Sequence, residues 1–149
     1  MRFSTREDID APAEVVFAAV TDFDAFERRM LRRGIDVTRD EMQPLAQVGA
    51  NWKARFDWRG RSYDLDAELV ALDPGENFAI ESRSGGIVCM GVVDLVALSK
   101  TRTRLFVSLD VKPTTLSSRL FVQSLRLAKG SLERKFKARV SEFAGAIGA

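Results

Sequence analysis

The residue pattern predicts an α+β domain: an antiparallel sheet of about seven strands in the order β-α-α-β6-α, with two short helices after the first strand and a long C-terminal helix. Three observations predict it. Apolar residues recur with a period of two from Ile35 to about Lys112. They recur at spacings of three and four from Phe121 to Ile147. Before the sheet run, Pro12, Thr21-Asp22 and Gly34 punctuate two brief helical patterns.

Residues 2–10 place Phe3, Thr5, Glu7 and Ile9 on one alternating face, which suits a strand. Pro12 fits a helix's first turn, and Val16, Phe17 and Val20 then share one side of a helix from Ala13 to Val20. Thr21 or Asp22 can cap a second helix, Phe23 to Arg33, by accepting from its free N–H groups. Gly34 ends it, because glycine takes the left-handed conformation readily.

Within the sheet run, Trp52, Ala54, Phe56 and Trp58 alternate with Lys53, Arg55 and Asp57. Arg59-Gly60-Arg61 turns the chain into Tyr63, Leu65, Ala67 and Leu69, and Asp73-Pro74-Gly75 turns it again. Phe78 and Ile80 follow, and Ser84-Gly85-Gly86 closes another hairpin. Ile87 to Leu98 is apolar at both parities, as a central strand covered on two sides would be. Leu105 to Val111 forms the last strand, and Pro113 ends the run. Thr115 or Ser117 can cap the final helix, whose apolar stripe continues for about seven turns. Gly130 falls inside it and costs about 1 kcal/mol in helix propensity, so a bend or a close backbone approach is expected there.

Composition narrows the chemistry. The chain has 149 residues, no histidine and one cysteine, Cys89. A Ser-His-Asp or Cys-His nucleophilic site cannot be built from it, nor can a His-ligated zinc, iron or haem centre. Any proton transfer rests on a carboxylate, phenol, amine or thiol. Lys+Arg 23 against Asp+Glu 21 is close to balance and selects no nucleic-acid partner. No metal or cofactor motif is present. One domain over residues 1–149 is expected, as are a cytoplasmic location and no stable membrane insertion, since the most apolar stretch, Gly86 to Leu98, is too short to span.

Ile9-Asp10-Ala11-Pro12-Ala13-Glu14-Val15-Val16-Phe17, followed by Val20-Thr21-Asp22-Phe23, resembles the opening of the START-related helix-grip superfamily. That superfamily, often called SRPBCC, includes polyketide cyclase/dehydrase-like and birch-pollen-allergen-like proteins. The order of elements resembles it over nearly the whole chain. The resemblance implies a curved antiparallel sheet gripping the long C-terminal helix around an elongated cavity. It also implies apolar or amphipathic ligands such as lipids, quinones or polyketides, with cyclisation or dehydration in some members.

Candidate site residues follow from both lines. The aromatic and apolar faces nominate Phe26, Met30, Trp52, Phe56, Trp58, Tyr63, Leu65, Phe78, Ile80, Met90 and Val107, facing Phe121 and Leu125 on the first half of the last helix. The same residues serve equally as a filled core. Asp94 interrupts an apolar strand, and its side depends on turn length. A two-residue turn at Thr101-Arg102 sets it opposite Leu109 on the face of Leu105 and Val107; a three-residue loop turns it outward. The arginines at 28, 29, 32 and 33, and the basic residues from Arg119 to Arg139, read as solvated helix faces. Cys89 reads as a small apolar filler. The expectation is binding or transport of an apolar or amphipathic small molecule. The alternative is a cyclase/dehydratase-like enzyme without histidine, its catalytic residues unassigned. No nucleic-acid partner is expected, and a homodimer remains open.

Overall fold

Alternating apolar and polar residues become β1 (Arg2–Ile9), β2 (Asp36–Arg39), β3 (Asn51–Trp58), β4 (Arg61–Asp73), β5 (Asn77–Ser84), β6 (Ile87–Ala97) and β7 (Thr103–Pro113) in the computed structural model, which describes residues 1–148. The helices are α1 (Ala13–Val20), α2 (Phe23–Arg32), α3 (Leu116–Arg126) and α4 (Lys129–Gly148). All strands join one curved antiparallel sheet in the order β1-β7-β6-β5-β4-β3-β2. Strands β2 to β7 are a simple meander, and β1 pairs with β7 along its length, Phe3 opposite Leu109 and Ile9 opposite Thr103. This is the α+β helix-grip architecture that the sequence pattern predicts.

One face of the sheet carries the core. Ile9, Leu69, Phe78, Leu95 and Leu105 are buried there against Val16 and Val20 of α1 and Phe23 of α2. A bulge in β4 between Leu69 and Ala71 shifts the register. The extra residue bends the strand, so Leu72, at the opposite parity to Leu69, also packs onto the core. Thr103, fully buried, donates from Oγ1 to the Ala11 carbonyl at 2.8 Å and ties the start of β7 to the β1–α1 connection. Asp22 caps α2 as expected, accepting from the Ala25 N–H at 3.1 Å.

The expected single C-terminal helix is two helices. The chain tightens at the junction, where Leu127 N–H donates to the Ser124 carbonyl (3.3 Å) and Ala128 N–H to that of Leu125 (2.9 Å). A Cβ at Gly130 would meet only the Arg134 side chain, at 3.6 Å, so no other backbone approaches the glycine, which stands in the first turn of α4 just after the bend. The two halves are anchored to different places. α4 packs along β1, with Phe136 on Phe3. α3 starts at the β5–β6 hairpin, where Thr114 donates to the Gly86 carbonyl from both N (2.8 Å) and Oγ1 (2.6 Å). Thr115 and Ser118 then form a reciprocal cap.

Two further corrections concern β6. Val93 and Leu95 pack on the core while their even-numbered neighbours Asp94 and Val96 are exposed, so this part of the strand is covered on one face only. The loop to β7 is five residues long, 98–102, and sets Asp94 opposite Phe106 rather than Leu109. Asp94 therefore lies outside, on the convex face.

Two substitutions test these ties. Thr103→Val keeps the shape but removes the donor to Ala11, and should lower unfolding free energy by roughly 1–3 kcal/mol in a denaturant titration. At Gly86, φ is +77° and a Cβ would sit 2.8 Å from Thr115 Oγ1. Gly86→Ala should therefore cost about 1–3 kcal/mol, with loss of amide protection concentrated in α3.

Candidate functional site

Small side chains at the middle of the concave face leave room that the helices do not fill. Ala54 on β3, Ala67 on β4 and Ser82 on β5 occupy neighbouring strands, paired as Trp52 with Ala67 and Ala67 with Ser82. Above them a cavity of about 840 Å³ runs between the sheet, α2 and the second half of α4. Its deep end is closed by aromatic edges. Phe23 meets Trp52 at 5.3 Å and Phe78 at 5.5 Å between ring centroids, both edge-on. Leu65, Ile80, Val93, Leu105 and Val107 complete a sheet wall without any ionisable group.

The helical wall differs. Phe26 and Phe143 lie 5.5 Å apart, joined by Met30, Val140 and Ala146, and every ionisable lining residue stands here: Glu27, Arg29, Arg33, Arg139 and Glu142. Glu27 Oε1 accepts from the Trp52 indole Nε1 at 2.7 Å and lies 3.5 Å from Arg39 Nη1 on β2. That nitrogen is buried without a hydrogen-bond partner. The Arg29 guanidinium sits 5.3 Å from the Phe26 ring and 5.5 Å from that of Phe143.

This shape, a sheet curved around a long helix with a cavity between, is matched in sequence. Residues 1–147 fit the profile of the family described as polyketide cyclase / dehydrase and lipid transport. The chain belongs to that family. Among solved structures, the Zhui aromatase/cyclase from Streptomyces sp. R1128 is 14% identical, with a TM-score of 0.72 over 99% of this chain and 93% of that one. Truncated norcoclaurine synthase from Thalictrum flavum is 14% identical, with a TM-score of 0.65 over 89% and 86%. Ara h 8.0201 is 13% identical, with a TM-score of 0.60 over 99% and 97%. At such identities the likeness is one of fold alone; with the family match over residues 1–147 it agrees with the START-related helix-grip superfamily. No curated protein sequence matches the chain.

Within this family fold the expected site divides in three. Phe26, Met30, Trp52, Leu65, Phe78, Ile80 and Val107 line the cavity. Phe56, Trp58, Tyr63 and Phe121 do not. They form a separate aromatic cluster between the β3–β4 hairpin and α3, with Phe56 stacked on Tyr63 at 5.5 Å and Trp58 edge-on to Phe121 at 5.9 Å. Leu125, half-buried on α3, also lies off the lining. Met90 and Asp94 have the parity of the convex face and are excluded by register. Asp94 instead borders a depression of about 730 Å³ on that outer face, with Arg2, Arg6, Glu76 and Phe106.

The bend at 127–128 explains the misplacement. It sends α3 to the far end of the sheet, so the second half of the C-terminal segment, 139–146, covers the cavity. Sequence reading also missed Arg29, Arg33 and Arg139, which line the cavity and are not merely a solvated face. The legible signal was Ala54 between Trp52 and Phe56 and Ala67 between Leu65 and Leu69: a row of alanines among large residues on one sheet face.

Cys89 also has the concave parity, opposite Ser82 and Val111. Burial, and secondarily the charge of Asp110, push its thiol above the ordinary range. It is a poor nucleophile at neutral pH. Thiol-reagent labelling of the native protein at neutral pH should run at least about tenfold slower than for a free cysteine and speed up on unfolding. Glu27→Ala removes the acceptor of the Trp52 N–H and the counter-charge of Arg39. It should cost roughly 1–3 kcal/mol of stability and shift tryptophan emission, with Glu27→Gln costing less.

Proposed function

We propose that this protein binds an apolar or amphipathic small molecule in the cavity between its sheet and helices α2 and α4. The observation that carries this reading is the 840 Å³ space walled on the sheet side by apolar and small side chains alone. A ligand burying about 300 Å² of apolar surface there gains about 7.5 kcal/mol at roughly 25 cal/mol per Å², before the losses of association. The lone thiol suits a reducing compartment, and the working location is the cytoplasm. Among the described residues no helix is long and apolar enough to cross a membrane.

Enzymatic cyclisation or dehydration is the second reading, and Glu27 is the observation that favours it: a carboxylate lining the cavity in a chain without histidine. Its Oε1 accepts from the Trp52 indole N–H and faces Arg39, contacts that hold the carboxylate in place and suit it to orienting a ligand.

Trp52 lines the cavity and Trp58 does not, so a Trp58→Phe background isolates the reporter. Titration with a neutral apolar dye such as Nile red should quench Trp52 and enhance the dye. Ala54→Phe, which fills the floor, should weaken binding by about tenfold or more with the far-ultraviolet spectrum unchanged. Unaltered dye affinity in a folded Ala54→Phe protein would remove the cavity as the binding site.

A further inference from the structure

We infer that the cavity selects ligands bearing one anionic end group, a carboxylate or a phosphate, on an apolar body. This rests on the binding role proposed above. Residues that both line the cavity and are solvent-exposed, Arg29, Met30, Arg33, Arg139, Glu142 and Ala146, all belong to α2, its C-terminal cap or α4. The cavity therefore opens along the cleft between these helices, and its entrance is where the charges are.

The charge there is uneven. Three arginines line the site against Glu27 and Glu142. Glu27 is engaged by Trp52 and Arg39, which leaves Glu142 as the one lining carboxylate without such contacts. Arg29, Arg33 and Arg139 enter no ion pair among the described residues. Arg29 is moreover held against the Phe26 and Phe143 rings, its guanidinium carbon 5.3 and 5.5 Å from their centroids, and among the described residues no side-chain hydrogen bond takes up its N–H donors. A guanidinium fixed in this way loses little freedom on taking a carboxylate or phosphate through paired N–H···O bonds. The sheet wall beyond offers no charge to a second ionic group. An apolar body thus lies inside, with its anionic head at the arginines.

The test is calorimetric titration of the full chain with dodecanoate, dodecyl phosphate, dodecanol and dodecyltrimethylammonium, each below its micellar concentration. Both anions are expected to bind at least about tenfold tighter than dodecanol at low salt, and the cation weakest. The advantage should shrink as salt rises, and fall most of the way in an Arg29→Gln/Arg139→Gln protein that still binds dodecanol. Preference for dodecanoate over dodecyl phosphate, or the reverse, tells which anion the entrance is shaped for. Equal affinity for dodecanoate, dodecyl phosphate and dodecanol would overturn the inference and leave the cavity reading standing. Binding of none of the four would overturn both.

Discussion

Phe136 resting on Phe3, with ring centroids 6.2 Å apart, decides where the long helix can lie. A second contact reinforces it: the position of a Cβ on Gly148 is 3.5 Å from the Asp10 nitrogen, so the helix end comes down at the end of β1. α4 is thus seated along the edge of the sheet. A helix is about 10–12 Å across with its side chains, and strands repeat every 4.8 Å or so. β4 stands four places from β1, about 19 Å away, beyond the width one helix can cover. The middle strands must be covered by large side chains or by something else, and Ala54, Ala67 and Ser82 are not large. The cavity is the consequence of an edge-docked helix over a floor of small residues.

Much of this was legible in the chain itself. The elements, their order and the caps at Asp22 and Thr115 follow from periodicity and from side-chain oxygens placed at helix starts. Seven of the expected lining residues, from Phe26 to Val107, follow from parity on the strands and spacing on α2. What failed did so for identifiable reasons. The face of Asp94 depends on the number of residues in a loop, and periodicity cannot count a loop of polar residues. The helix break at Leu127-Ala128 keeps the three-and-four spacing nearly intact on both sides, so the stripe alone does not show it. Phe56, Trp58 and Tyr63 carry the right parity and lie only one step too far along the hairpin.

The arginines show a different limit. Amphipathicity sorts a helix into two faces, yet a residue at the boundary between them serves both. Arg29 and Arg139 lie where the apolar stripes of α2 and α4 give way to solvent, and a cleft between two helices turns both boundaries inward. The family fold supplies the cavity, while these boundary positions and Glu27 give it a chemical polarity of its own. Charge at the entrance and none at the sheet wall is a gradient along which an amphipathic molecule has one favoured direction.

The contact between Gly86 and Thr115 joins two parts of the chain that are 29 residues apart in sequence. A larger residue at the hairpin tip crowds the threonine that caps α3, and it must also adopt a left-handed backbone. Change at either position is thus conditional on the other. A hairpin transplanted onto this fold with a larger residue at its tip must bring the start of α3 with it.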